Sequence, residues 1–255
     1  MSRSDDLGEL FKSWPYDPDD NVRIVKGEGG REIMQVREPL GIQQYELEGR
    51  PDGVRPHGKE SALEYHLSRL TKARESGKEA DFTLDAEECV ELFNEGVLYY
   101  YRYFNLFQMQ NWKRVIRDTT RNLRLFDFVN RYAEREEDQT NLEQWRPYIT
   151  RMNAVARAML ELESQRPDSA LKIVNETIAK IEELEEMENP TFKFERDRSL
   201  TALQELAKQI EKARPVSDVE RLEAELHKAV EAQEFERAAV LRDQIRDLRK
   251  NVPSR

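Results

Sequence analysis

The sequence predicts a mainly α-helical protein with a small β-meander near its N-terminus and a helical hairpin at its C-terminus. Three observations support this fold class. Period-two alternation of apolar and polar residues is confined to residues 22–48, whereas apolar residues recur at three- and four-residue spacing from Ser61 onward. Ser217 and Glu220 have the spacing of a capping box and open the last helical segment.

The composition predicts a modest core and a large solvated surface. Hydrophobic residues make up 38% of the chain and charged residues 36%, whereas average soluble proteins have about 45–50% and about 25%. Three Trp, nine Tyr and ten Phe argue against disorder. The formal net charge of −10 disfavours non-specific binding of nucleic acid, which depends on Lys and Arg side chains that neutralise phosphates.

The single cysteine, Cys89, excludes an internal disulfide and a cysteine zinc site. Its acidic neighbours Glu88 and Glu91 also disfavour a thiolate. The first residues lack the apolar stretch of a signal peptide, and no run of about 18 apolar residues is long enough to span a membrane. We therefore expect a cytoplasmic protein that makes no contact with a membrane.

The chain is predicted to have three regions. Residues 1–58 form an N-terminal arm and the meander, residues 59–214 a helical scaffold, and residues 215–255 the hairpin. The arm is expected to be extended, with Trp14 available to pack on the body.

The meander is predicted from three short alternating segments separated by glycine- and proline-containing turns. A three-stranded sheet of this size is marginal by itself, so its apolar face is expected to lie on helices. The strands contain Val22–Ile24, Met34–Val36 and Tyr45–Leu47, and the turns contain Gly27–Gly30, Pro39–Gly41 and Gly49–Gly53.

The scaffold is predicted to be an antiparallel helical bundle or a stack of helical repeats. Its first helix follows Ser61 and precedes a loop at Gly77–Asp81. The later helices are predicted at about Asp85–Gln108, Asn111–Glu134, Leu142–Gln165, Pro167–Glu186 and Glu195–Ala213.

The third and fourth of these later helices resemble a tetratricopeptide repeat unit. Ala158 and Ala170 are twelve residues apart, with Leu162, Val174 and Ile178 at supporting positions. Small residues at this spacing let two antiparallel helices approach closely. A plain helical bundle would show the same small residues, so both arrangements remain open.

The C-terminal hairpin is predicted from two amphipathic segments that flank a bend at Gln233-Glu234. Two short helices bury little surface, so their remaining apolar area must be covered by the chain's own body or by another chain. Phe235 is expected to anchor the second helix. The first apolar face contains Leu222, Leu226, Ala229 and Val230, and the second contains Phe235, Ala238, Leu241, Ile245 and Leu248.

These residues resemble the UVR motif, the hairpin shared by UvrB, UvrC, the ClpC family and the kinase activator McsA. The resemblance implies a helical hairpin that docks on a protein partner, with self-association as one form of docking. The quoted positions are Leu222-Glu223, Lys228-Ala229, Phe235–Ala239, Leu241–Ile245 and Leu248. The implied partner-binding residues are Leu222, Leu226, Val230, Phe235, Ala238, Leu241, Arg242, Ile245 and Leu248.

The chemistry of those relatives has no counterpart upstream of the hairpin. A helicase needs the phosphate-binding sequence Gly-x-x-x-x-Gly-Lys-Ser/Thr, which does not occur. The zinc sites of McsA need cysteine pairs. We therefore expect a non-enzymatic adaptor without a cofactor, whose partner is a protein rather than a nucleic acid.

Two alternative sites come from charged residues. Arg114, Arg117, Arg121 and Arg124 lie along one face of a predicted helix, where they would bind phosphates, as in an accessory protein of DNA repair or stress response, or an acidic partner. The competing interpretation is a solvated face paired with acids such as Asp118.

A cluster around the meander would form a small-ligand or peptide site, or only a turn with local pairs. It contains Gln35, Arg37, Arg50, Asp52, Arg55 and His57. The three histidines, His57, His66 and His227, have no metal-ligand spacing.

Overall fold

A computed structural model describes residues 7–214 and 218–251, and it confirms the mainly helical class, the N-terminal three-stranded sheet and the C-terminal hairpin. The chain divides into two compact units, Met1–Lys208 and Gln209–Arg255. The strands are β1 (Val22–Lys26), β2 (Glu32–Glu38) and β3 (Gly41–Glu46). The helices are α1 (Gly8–Ser13), α2 (Ala62–Glu75), α3 (Ala86–Gln108), α4 (Trp112–Tyr132), α5 (Glu136–Glu143), α6 (Arg146–Glu163), α7 (Pro167–Glu182), α8 (Pro190–Ala213), α9 (Asp218–Glu231) and α10 (Phe235–Asn251).

The sheet is an antiparallel meander of order β1-β2-β3, with Met34 paired to Ile24 on one side and to Tyr45 on the other. Its apolar face packs on the helices, as predicted from its marginal size. Leu47, which follows β3, is fully buried in this interface. The core between sheet and helices contains Met34, Val36, Tyr45, Leu47, Leu106, Trp112, Val115 and Ala156.

The opposite face of the sheet is covered by the N-terminal segment. Residues Gly8–Ser13 form the short helix α1, so the expectation of a wholly extended arm is wrong. Arg37 is buried because its guanidinium lies 4.0 Å from the Phe11 ring centre and its Nε donates to the carbonyl of Trp14. Arg23 lies 3.8 Å from the centre of the Trp14 ring. These cation–π contacts hold the arm on the sheet.

Consecutive helices form the remainder of the first unit, in which α3 packs on α4, α4 on α6 and α6 on α7. Ala158 of α6 and Ala170 of α7 are both fully buried, as small residues at a close helix contact should be. This packing satisfies the bundle prediction, whereas the resemblance to a tetratricopeptide repeat stays a prediction.

Two predicted helix boundaries are wrong, both at prolines. The segment Leu142–Gln165 is not one helix, because α5 ends at Glu143 and α6 starts with Pro147 in its first turn, where a missing N–H costs no hydrogen bond. The last scaffold helix begins at Pro190 rather than Glu195. Asn189 caps it, since its Oδ1 accepts the N–H groups of the next two non-proline residues at 2.8 and 3.1 Å.

Among the helix ends in residues 7–214 and 218–251, four are followed by a residue with left-handed backbone geometry. The residues are Gly77, Gln110, Gln165 and Gln233, with φ of 70°, 56°, 56° and 58°. In each, the N–H of this residue and that of its successor donate to carbonyls in the last helical turn, which is the Schellman arrangement. Three of the four helix ends therefore use glutamine where glycine is the usual residue.

A buried ion pair connects α3, α4 and the end of the sheet. Arg102 and Asp118 are each only 1% exposed and form two hydrogen bonds, Nε to Oδ2 at 2.7 Å and Nη2 to Oδ1 at 2.8 Å. The remaining Nη1 donates to the carbonyls of Glu46 and Gly49, both at 2.8 Å. The arginine thus fixes the polypeptide after β3 against two helices.

A second buried carboxylate, Glu95, lies on α3 about two turns before Arg102. Glu95 is fully buried and accepts the N–H groups of Ala62 and Leu63 at 2.7 and 3.1 Å, so it caps the N-terminus of α2 from another helix. Arg121 donates to the same carboxylate, and Arg50 lies 3.6 Å from it. The carboxylate therefore joins α2, α3, α4 and the turn after the sheet.

His57 and His66, which no sequence motif links, share one carboxylate. His57 and His66 each place Nε2 near Glu91, at 3.2 and 3.4 Å. Arg69 donates to Nδ1 of His66 at 2.9 Å, so this nitrogen keeps its lone pair. Burial lowers the pKa of His66 from its ordinary value of 6.5, although Glu88 and Glu91 act in the opposite direction.

We predict that Arg102→Met lowers the free energy of unfolding by about 3–5 kcal/mol, because it removes two charged hydrogen bonds from the buried Asp118 carboxylate and leaves it with the bond from Arg117 Nε at 2.9 Å. Denaturant unfolding of the full chain measures this loss. Arg124→Met is the matched control, since Arg124 is exposed and lies 3.9 Å from Glu64, and surface pairs contribute about 0–1 kcal/mol. Equal losses for the two variants would contradict the structural role of the buried pair.

We also predict that protonation of His66 destabilises the fold. The folded-state pKa is below the unfolded value, so the unfolded chain binds the proton first as pH falls through 6.5. The contribution of neutral His66 to the free energy of unfolding is therefore complete above that pH and decreases below it. Unfolding measured at about pH 7.5 and about pH 5.5 should show a weaker pH dependence for His66→Gln than for wild type. His227→Gln, at an exposed histidine, should retain the wild-type dependence.

Candidate functional site

The C-terminal hairpin is formed by α9 and α10, which pack on each other. The bend lies at the predicted position. Gln233 is left-handed and the N–H of Glu234 donates to the carbonyl of Ala229 at 2.8 Å, which ends α9 and reverses the chain. Of the predicted capping box, Ser217 lies outside the described residues, as does the side chain of Glu220.

The contact between the two helices is small and built on alanine. Ala229, Ala238 and Leu241 are buried in one cluster, with the partly buried Leu222 and Leu226 packed against it. We call these five residues the alanine seam. Ile245 is also buried. The small side chains bring the helices close but provide little apolar area, which agrees with the expectation that the hairpin leaves apolar surface uncovered.

Five of the predicted docking residues lie outside the alanine seam, namely Val230, Phe235, Arg242, Ile245 and Leu248. Phe235 is 70% exposed, and Val230 and Leu248 are exposed as well. The expectation that Phe235 anchors the second helix is therefore wrong, because Phe235 is the first residue of α10 and lies where α9 has already ended. Arg242 is exposed and 3.4 Å from Asp243. The role of these residues in binding a partner stays a prediction.

The two helices of the hairpin carry opposite charge. In the sequence, α9 contains five acidic and two basic residues, whereas α10 contains three acidic and five basic residues. Nearby ion pairs include His227 with Glu231 at 3.4 Å within α9, and Arg237 of α10 with Glu234 of the bend at 3.0 Å. Counted over the sequence, α9 is therefore net acidic and α10 net basic.

All four residues of the predicted arginine stripe form contacts within the chain, which favours the interpretation as a paired face. Arg121 is largely buried against Glu95, and burial lowers its pKa. The others pair with exposed acids of the sheet region and of α2. Their contacts are Arg114 with Glu32 at 2.8 Å, Arg117 with Glu48 and the carbonyl of Leu47 at 2.7 Å each, and Arg124 with Glu64 at 3.9 Å.

The charged cluster around the meander is also used locally. Arg50 pairs with Asp52 at 3.1 Å, and Asp52 accepts the N–H of Val54 at 3.0 Å inside the turn. Arg37 donates to backbone carbonyls, and the amide of Gln35 donates to Gln44 at 3.0 Å. These contacts favour the interpretation as a turn with local pairs.

The structure also bears on three features considered from the sequence, which are the reactivity of Cys89, a metal site and a membrane span. Cys89 is buried, and burial raises the pKa of its thiol to about 12, which agrees with the expectation that it is not a nucleophile. In the described part of the chain, no group of three His, Cys, Asp or Glu residues is arranged to hold a metal ion. None of the helices in residues 7–214 and 218–251 combines the length and apolar character that crossing a bilayer requires.

Sequence reasoning missed three charged residues that organise the body, namely Glu91, Glu95 and Arg102. Each lies within the long helix α3, where acidic and basic residues are also expected on a solvated face. Glu95 and Arg102 are seven residues apart and therefore share one face with Tyr99, which is a weak signal that this face is covered. Their partners come from distant segments that spacing does not reveal.

Residues 219–251 match the family described as the UvrB/uvrC motif. The match covers the hairpin from the first turn of α9 to the end of α10. A search of curated proteins and a search of solved structures found no significant match to this chain. The C-terminal hairpin, with its alanine seam and exposed Phe235, is thus a UvrB/uvrC motif carried on a helical body.

Proposed function

We propose that this chain is a non-enzymatic adaptor that docks on another protein through its C-terminal UvrB/uvrC motif. The observation that carries the proposal is the exposure of Phe235, Val230 and Leu248 on a hairpin whose own seam is small. Aromatic side chains at the centre of an interface often dominate its binding energy. Phe235 is the residue of the hairpin that best fits this role.

The charges of the hairpin specify what kind of surface it would bind. A partner that contacts both helices meets the net acidic α9 and the net basic α10. We therefore expect the partner to offer an apolar groove bordered by charges of both signs in the reverse order, because such complementarity fixes the orientation of docking. A second copy of the hairpin is one surface with these charges.

The alternative role as an accessory protein that binds nucleic acid receives less support. Its arginine stripe is occupied by acids of the same chain, among them Glu32, Glu48 and Glu95. An incoming phosphate would have to replace these contacts. A role in DNA repair therefore depends on the partner of the hairpin and not on a basic surface of the body.

We predict that Phe235→Ser weakens docking without destabilising the chain. The ring is exposed, so its loss should change the free energy of unfolding by no more than about 0.5 kcal/mol. Loss of an interface centre costs about 2 kcal/mol or more, which corresponds to about a 30-fold lower affinity. The proteins that are retained by the immobilised full chain should be lost from the Phe235→Ser bait.

Leu40→Ser is the matched control, because Leu40 is 94% exposed and lies in the turn between β2 and β3. This bait should retain the same proteins as wild type. Light scattering on the free chain tests whether the partner is a second copy, since Phe235→Ser would then halve the measured mass. Identical sets of proteins on all three baits, with an unchanged mass, would contradict the proposal.

A further inference from the structure

The first unit contains a cavity of about 360 Å³ that the proposed docking function does not use. It lies between α3, α4, the α5–α6 segment and the N-terminal half of α8. Its volume is within the range of about 300–1,000 Å³ that small-molecule sites occupy. The cavity is partly open to solvent, and Tyr101 and Trp145 of its lining are exposed. A small molecule can therefore enter it from solution.

The wall of the cavity is mainly aromatic, and its rings are tilted against one another. The ring of Tyr100 meets those of Tyr103 and Tyr148 at 86° and 62°, with ring centres 5.6 and 6.1 Å apart. Phe93 and Phe126 also line the cavity. Rings at such angles place the positive edge of one against the negative face of another. A flat aromatic guest can make the same edge-to-face contacts, which an aliphatic guest cannot.

The charges of the lining favour neither an anion nor a cation. In the described part of the chain, its charged residues are Glu195 and Arg198, which compensate each other with Arg198 Nη1 3.6 Å from Glu195 Oε1. The tyrosines add no charge, because burial raises the pKa of Tyr103 and Tyr148 above the ordinary value of 10. A charged ligand would leave water without gaining an opposite charge that is free to pair with it. The lining therefore favours an uncharged ligand.

One polar atom of this lining lacks a hydrogen-bond partner. Glu195 is 5% exposed, and no described residue donates a hydrogen bond to its Oε2. Arg151 Nη2 is 4.0 Å away, which is too far for a hydrogen bond. Buried polar atoms nearly always have a partner in folded proteins. The torsion about the last bond of a glutamate side chain is broad, so the carboxylate can turn an oxygen towards an N–H or O–H group inside the cavity.

We propose that this cavity binds a small uncharged aromatic molecule whose N–H or O–H group donates to Glu195 while its ring packs against the aromatic wall. The amide of Asn122, which also lines the cavity, is already occupied. Its Nδ2 donates to the carbonyl of Gly96 at 2.9 Å, and its Oδ1 accepts from Arg121 at 3.0 Å. A hydrocarbon would leave Glu195 Oε2 without a donor, and a ligand with acceptors alone would do the same.

The test uses the full chain and two probes of the same shape. Indole has an N–H donor, whereas benzofuran has an oxygen acceptor in its place. Isothermal titration calorimetry measures indole directly and benzofuran by displacement of indole. Indole should bind saturably at millimolar concentration or below and at least about tenfold more tightly than benzofuran, because it alone donates to a charged acceptor. Indole-3-acetate and tryptamine, which carry a negative and a positive charge, should bind more weakly than indole.

Glu195→Gln should weaken binding of indole by about fivefold, because a neutral amide oxygen replaces a charged acceptor. The same variant should not weaken binding of benzofuran, so the ratio of the two affinities should decrease. Val97→Trp should abolish saturable binding of both probes, since the larger side chain fills part of the cavity that Val97 lines. Val90→Trp is the matched control, because Val90 lies on the same helix, is exposed and is not part of the lining. It should bind indole like wild type.

Four results would overturn the proposal. They are no saturable binding of indole, binding of benzofuran as tight as that of indole, tighter binding of either charged probe than of indole, and an affinity for indole that Val97→Trp leaves unchanged. If Glu195→Gln does not fold, the comparison of indole with benzofuran on the wild-type chain still tests the donor. The experiment is independent of docking by the hairpin, because all of its residues lie in the unit that ends at Lys208.

Discussion

The buried contact between Arg102 and Asp118 is the constraint on which the first unit depends. It joins α3 to α4 by two parallel hydrogen bonds and fixes the polypeptide after β3 by two more. A guanidinium can be buried only when its donors are satisfied, so these distances leave little freedom to the elements that they connect. The sheet therefore meets the helices in one orientation, and Leu47 and Leu106 pack in the core between them.

Pairs of arginine and carboxylate also connect other elements of this acidic protein. Glu95 caps α2 and receives Arg121, while Arg114 and Arg117 reach the acids near the sheet. Buried or half-buried guanidiniums with fixed carboxylate partners act as connections between elements rather than as a basic surface. Most arginines of the stripe are thus paired within the first unit. Arg237 and Arg242 of the hairpin, in contrast, are exposed.

Much of the fold could be predicted because its signals are local. Glycine turns and period-two alternation predicted the meander. The helix start predicted at about Asp85 is confirmed, and there the structure shows a capping box formed by Asp85 and Glu88. Local signals misplaced the start of the last scaffold helix, because Asn189-Pro190 caps and begins α8, whereas α7 already ends at Glu182. The cavity and the buried charges could not be predicted, because a tyrosine or a glutamate within a helix has the same spacing whether it faces solvent, a cavity or a distant backbone N–H.

The left-handed backbone at Gln233 has a conformational cost that opposes closure of the hairpin. A residue with a Cβ in left-handed geometry costs about 1–2 kcal/mol that glycine avoids, so reversing the chain at this glutamine opposes part of the gain from the alanine seam. The alternative without this strain is one continuous helix through residues 218–251, about 50 Å long at 1.5 Å per residue. Such a rod would present its half of the seam to a second rod. Glutamine at this position therefore narrows the free-energy gap between a closed monomeric hairpin and a domain-swapped pair.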